Sequence, residues 1–192
     1  MQLVNHILTE FPNTSQLNID YVKTPPYPNI AIDNFLPKLG EVTGHHDLIP
    51  DPHMVGAGYM RCTRGDSLKL HSDFNFNNTL KLYRMLSLNI YLNENWQTNW
   101  NGDLQFWNFE REKCMTKYYP EAGRVVIFRH HKLGFHGHPK PMECPAGVYR
   151  DGFRMFYYVS ELSNYKLDKQ PHRSLYWYDE KNKQPYDVQE EE

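Results

Sequence analysis

His71 and Asp73 place an imidazole and a carboxylate two residues apart, at the end of the run Ser67-Leu68-Lys69-Leu70. Leu68 and Leu70 alternate with polar neighbours, the period of a half-buried strand, and on such a strand positions 71 and 73 project to one face. A His and an Asp held side by side are half of a metal site. The third ligand can come from His130, His131, His136, His138 or His172. Two imidazoles and one carboxylate on one side of a metal leave its other side open, which suits non-haem Fe(II) holding O2 and a chelating co-substrate together. Zinc bound by the same donors with a water is the competing chemistry. For an HxD taken alone, a structural His–Asp pair without metal is the plain alternative.

A second group narrows the choice. Arg150 lies fourteen positions beyond His136 and opens the β-prone run Tyr149–Ser160, so it is expected on a neighbouring strand. A guanidinium at that depth can grip the distal carboxylate of a dicarboxylic co-substrate whose other end chelates the metal. Arg154 would share its face and competes for the role. In Gly134-Phe135-His136-Gly137-His138-Pro139 the glycines allow the backbone to approach a bound group closely.

Five segments then occur in a familiar order. They are GAGYMRCTRGDSLKLHSDFN around the HxD, RMLSLNIYLNENW (84–96), NGDLQFWN (101–108), GRVVIF (123–128) and GFHGHPKPMECPAGVYRDGFRMFYYV (134–159). Together they resemble the Fe(II)/2-oxoglutarate-dependent oxygenases, in particular the prolyl 4-hydroxylase-like branch, over about residues 55–160. PNIAIDNFLP (28–37) also resembles the opening of that family's domain. The resemblance implies that His71, Asp73 and His136 ligate iron, with His138 as a neighbouring pocket residue. It further implies that Arg150 anchors 2-oxoglutarate, that Tyr91 places its hydroxyl near the same carboxylate, and that Tyr59 lines the pocket. The implied cofactors are Fe(II), 2-oxoglutarate and O2, with ascorbate as a stimulant. The implied reaction is hydroxylation of an unactivated C–H bond, with a prolyl residue of a protein or peptide favoured over a free amino acid or other small molecule. Gly152 stands where the family often has a serine, and Asp66 replaces a second glycine of the preceding turn.

The elements that must position these residues are mostly strands. Residues 1–11 carry apolar positions at helical spacing, 13–28 read as loop, and Asn29–Asp33 alternates as a strand. Residues 37–53, with His45, His46 and His53, show no period and read as surface loop. Val55–Arg61 and Ser67–His71 are expected as a hairpin around Arg64-Gly65-Asp66, followed by a turn-rich 73–79. Tyr83–Leu92 is apolar enough for the middle of a sheet, and Asn93–Gly102 is a polar loop carrying Trp96 and Trp100. Further strands are expected at Asp103–Phe109, Arg124–Phe128 and Tyr149–Ser160, while Leu175–Tyr178 docks on the sheet and Glu190–Glu192 forms a solvated end. Trp96, Trp107, Phe135 and Tyr157 are candidate pocket walls. Roughly eight strands with Gly and Pro turns predict a mainly β protein with flanking helices and a double-stranded β-helix (jelly-roll) core.

Composition sets the outer limits. The 192 residues suit a single domain spanning 1–192. A formal net charge of −2, from 21 Lys plus Arg against 23 Asp plus Glu, argues against a nucleic-acid partner or an anionic membrane. Three cysteines without metal-type spacing read as reduced thiols, and no leader or bilayer-length apolar run is seen, so a cytoplasmic protein is expected. A non-catalytic β-sandwich binding module remains the reading from another class.

Overall fold

Leu82–Tyr91 is buried along nearly its whole length, and a strand of that kind needs neighbours on both edges and cover on both faces. The computed structural model that supplies them describes residues 35–163, 170–177 and 185–187. The expected helix at 1–11, the strand at 29–33 and the acidic end at 190–192 lie outside the described residues. The chain divides into two compact units, Met1–Leu48 and Ile49–Glu192.

In the first unit, helix α1 (Phe35–Thr43) occupies part of the stretch that reads as loop. Pro37 falls in its first turn, where a missing N–H is not needed, and the Thr43 hydroxyl donates to the Leu39 carbonyl at 2.7 Å in the last turn. In the second unit the strands are β1 (Ile49–Pro50), β2 (Gly58–Cys62), β3 (Leu68–Ser72), β4 (Phe76–Asn77), β5 (Leu82–Tyr91) and β6 (Leu104–Trp107). They continue as β7 (Cys114–Tyr118), β8 (Val125–Arg129), β9 (His136–His138), β10 (Arg150–Val159), β11 (Leu175–Trp177) and β12 (Pro185–Asp187). A 3-10 turn, Thr98–Trp100, interrupts the polar loop. Among the described residues no helix is long and apolar enough to cross a membrane.

Two antiparallel sheets result. In the first, β10 and β5 form the centre, with β1 and β2 on the free edge of β10, and β4 and β8 on the free edge of β5. The second runs β12-β11-β3-β9-β6-β7. Tyr91, Leu104 and Val126 form a buried cluster with Phe106, Tyr118 and Phe128 packed against it, and these side chains come from both sheets. Such side chains each contribute about 1.5–3 kcal/mol by transfer from water. This is the jelly-roll core, two faces closed on one interior.

Three expectations change. Strands β2 and β3 are not a hairpin: β2 pairs with β10 and β3 pairs with β9 and β11, so the intervening turn carries the chain from one sheet to the other. The C-terminal apolar patch does more than dock, since β11 extends the second sheet beside β3. Arg150 is on the sheet facing His136 rather than on a neighbouring strand.

The alternation that runs through β3 is also broken. Leu68 pairs with His138 and His71 with His136, so three steps on β3 match two on β9. This extra residue is a β-bulge, which flips the parity of the residues after it. It turns His71 inward although Lys69, its partner in simple alternation, is exposed. Gly137 lies opposite the bulge. A Cβ there would sit 2.7 Å from the Leu68 oxygen and 2.8 Å from the Lys69 oxygen, so its glycine serves strand contact rather than approach to a ligand. Gly137→Ala is expected to cost about 1–3 kcal/mol by forcing β3 and β9 apart, measured as urea unfolding of the metal-free protein.

Candidate metal centre

The bulge and the end of β3 bring His71 and Asp73 into one space, and β9 brings His136. One ligand atom from each lies within 4.8 Å of the other two. His71 Nε2 is 3.6 Å from Asp73 Oδ1, and His136 Nε2 is 3.5 Å from Asp73 Oδ2. Both imidazoles are buried, with ring centroids 4.6 Å apart. The Nδ1 of His71 donates to the Lys69 carbonyl at 2.9 Å and that of His136 to the Gly134 carbonyl at 3.0 Å. A carbonyl oxygen can only accept, so each Nδ1 carries its proton and each Nε2 turns a lone pair to the centre. The donors therefore fit a divalent metal bound on one side, and the His–Asp pair in the sequence is completed by His136 among the five histidines considered.

Three of the other four separate by environment. His131 stacks on Phe109 at the surface, and His172 bonds Asn75 and Arg173 through backbone and ring. His130 is different. Its Nδ1 lies 3.3 Å from Asp73 Oδ2, and its Nε2 is 2.9 Å from the Ser87 hydroxyl. Burial lowers its pKa to about 3, so it is neutral where it lies against the carboxylate. It is a close neighbour of Asp73 outside the candidate ligand set. Arg84, clamped between the Phe74 and Phe156 rings at 3.8 and 3.7 Å, reaches Asp73 Oδ1 at 3.8 Å. Burial opposes the negative charge of Asp73, yet the neighbouring His136, His71 and His130 rings hold its carboxyl well below the usual range. No motif pointed to the roles of His130 and Arg84.

Arg150 sits on the facing sheet, 4% exposed. Its Nε donates to the Gly102 carbonyl at 2.8 Å and its Nη2 to the Tyr91 hydroxyl at 3.2 Å. Burial raises the Tyr91 pKa against the pull of Arg150, so the phenol keeps its proton. Gly102 has φ +76°, and a Cβ there would meet Arg150 Cδ at 3.3 Å and the Trp96 ring at 3.2 Å. Asn93 secures the start of β10, donating to the Asp151 and Pro120 carbonyls and accepting from the Asp151 N–H. At Gly152, opposite Tyr91, a Cβ would lie 3.0 Å from the Ile90 carbonyl, so the serine common in the family is hindered here.

Tyr59 is not part of this arrangement. It pairs with Phe153, one step out of phase with Arg150, and so faces outward, 54% exposed. Arg61, paired with Asp151 through two 2.8 Å bonds, lies 5.7 Å from its ring centroid. Of the candidate walls, Trp107 bonds Gln105 and alternates with Phe106, which pairs with His136, while Tyr157 bonds Met155 and alternates with Phe156; Trp96 is packed with Met142 and Cys144. The rings that flank the ligands are Phe106 and Phe128 against His136, and Tyr176 stacked on His71 at 5.0 Å.

Residues 57–158, more than half of the chain, match the family model of the 2OG-Fe(II) oxygenase superfamily. No curated protein is significantly similar to the chain. Among solved structures, a Pseudomonas putida prolyl-4-hydroxylase aligns at 18% identity and a TM-score of 0.44, covering 77% of each chain. A prolyl 4-hydroxylase from Phytophthora capsici aligns at 18% identity and 0.49, covering 70% of this chain and 44% of that one. A Trichoplax adhaerens prolyl hydroxylase, solved with a hypoxia inducible factor oxygen degradation domain peptide fragment, aligns at 17% and 0.36, covering 64% and 53%. The chain thus spans about half the length of the last two.

Two outcomes are expected. Titrated with Mn(II) in calorimetry, His130→Phe should bind about 10–100-fold more weakly with unchanged stoichiometry, whereas His71→Ala should show no stoichiometric binding. The second concerns acid. Burial lowers His138, like His130, from 6.5 to about 3, so between these values the unfolded chain takes up protons that the folded chain refuses. Their contribution is complete above about 6.5 and is lost as pH falls towards 3, by at most about 1.4 kcal/mol per pH unit for each ring. Urea unfolding of metal-free protein at pH 7.5 and 5 should show the loss, and His138→Gln should reduce it.

Proposed function

Because the chain belongs to the 2OG-Fe(II) oxygenase superfamily, and is thereby a 2-oxoglutarate-dependent dioxygenase using Fe(II), 2-oxoglutarate and O2, we propose that it hydroxylates a prolyl residue of a protein or peptide. What supports the site assignment is the cluster of His71, Asp73 and His136 on one sheet together with the buried Arg150–Tyr91 pair on the other. The order of the five sequence segments supports the prolyl substrate. We read residues 1–192 as one oxygenase domain with its catalytic core at about 55–160.

In this reading His71, Asp73 and His136 hold the iron on one side. A bound iron with 2-oxoglutarate and O2 would supply the chemistry: one oxygen atom of O2 would pass into succinate as 2-oxoglutarate loses CO2, and the other to a C–H bond of the substrate. Arg150 and the Tyr91 hydroxyl grip the distal carboxylate of 2-oxoglutarate; the Gly102 carbonyl and the Asn93 clamp fix the guanidinium that does so. His130 and Arg84 keep Asp73 ionised and aimed. Phe106, Phe128 and Tyr176 crowd the ligand rings and keep water from them.

Anaerobic Fe(II) with 2-oxoglutarate should give a metal-to-ligand charge-transfer band, and succinate should form with a member of a panel of proline-containing peptides. Arg150→Met removes about 2 kcal/mol of charge-assisted hydrogen bonding, roughly a thirty-fold rise in the KM for 2-oxoglutarate. A wild-type protein with no band and no succinate would sink the assignment.

A further inference from the structure

Arg154 is the second arginine on the inner face of β10. It pairs with Asn89 of β5 on one side and Gly58 of β2 on the other, in phase with Arg150 and Gly152. It is mostly covered, yet among the described residues its guanidinium makes no hydrogen bond and no ion pair. The charges acting on it are Asp73 on the favourable side and Arg150 and Arg84 on the unfavourable side; Tyr91 also acts on it but is protonated at neutral pH. A metal bound by Asp73 takes up the one favourable charge, and a dicarboxylate gripped by Arg150 is engaged elsewhere. Arg154 then lies on the inner face of β10 as a largely covered cation without a counter-charge, which is costly away from water.

Two further groups are left open beside it. Asn89, 4% exposed, has an Oδ1 with no hydrogen-bond partner among the described residues. His138, 5% exposed and within the field of Arg150, Arg154 and His71, has an Nδ1 in the same condition. Orphaned polar atoms in a buried face are costly and call for a partner that the protein itself does not supply. The unmet demands are a negative charge at Arg154 and an N–H at Asn89.

We propose that Arg154, with Asn89 and His138 beside it, is a second anion subsite that receives a carboxylate of the substrate with a neighbouring N–H, and so selects acidic substrates. The inference rests on the oxygenase reading above. A free amino acid supplies both groups, as does an acidic residue within a peptide.

The test uses full-length protein loaded with Mn(II) and 2-oxoglutarate, titrated anaerobically with L-proline, with the blocked peptide Ala-Asp-Pro-Ala and with its Asn counterpart. The inference expects L-proline or the Asp peptide to bind at least ten-fold more tightly than the Asn peptide. Which of the two does so identifies the source of the carboxylate. Arg154→Met should abolish that preference while the affinity for 2-oxoglutarate stays within about two-fold, and Arg154→Lys should restore part of it through charge alone. Equal binding of the Asp and Asn peptides with no binding of L-proline overturns the subsite, as does an Arg154→Met whose main loss is in 2-oxoglutarate affinity. If wild-type protein binds neither Mn(II) nor 2-oxoglutarate, the oxygenase reading itself has failed, a result distinct from either.

Discussion

The centre depends on a mismatch of one residue between two paired strands. β3 spends three residues where β9 spends two, and without that excess His71 would share the exposed side of Lys69. The mismatch is tolerated because the residue facing it, Gly137, has no side chain to collide with the carbonyls that the bulge pushes across. The same carbonyl, that of Lys69, then receives the Nδ1 proton of His71. One backbone irregularity therefore sets both the direction of the ring and the nitrogen it offers.

Asp73 is where the remaining forces meet. It is almost enclosed, and it carries the negative charge around which two ligand imidazoles, His130 and Arg84 are arranged. A buried carboxylate with such companions is held by several weak contacts rather than one strong pair. Its role is accordingly double: it offers oxygen to a metal and supplies the counter-charge for a guanidinium stacked between two phenylalanines. On the opposite sheet Arg150 is fixed to backbone and phenol before any co-substrate arrives, which lowers the ordering cost of binding.

Much of this was legible in the residues. The HxD, the His136 run and Arg150 lie in segments whose order is informative, and β5 and β10 declare themselves by length and apolar content. What escaped was whatever depends on register. Tyr59 and Arg150 cannot be assigned to faces until β2 is laid against β10, and the faces of Trp107 and Tyr157 likewise wait on the pairing of β6 with β9 and of β10 with β5. The β2–β3 pair looked like a hairpin because a Gly turn joins two short β-prone runs, yet each strand finds its partner in a different sheet. β7 lies in a stretch assigned no element, and α1 contains a proline and a glycine that read as loop. His130 and Arg84 belong to no spacing pattern; they matter only through proximity to Asp73.

The pairing of His71 with Tyr176 as well as His136 has a consequence for the order of events in synthesis. The first ligand strand is made early but its neighbours on both edges come from much later in the chain. Until the ribosome has delivered the segment through Tyr176, β3 has one edge uncovered and its histidine lacks the ring that stacks on it. Contacts so distant in sequence form slowly, because the intervening loops must close first. A nascent chain is therefore poorly equipped to capture metal, and loading belongs to the finished fold.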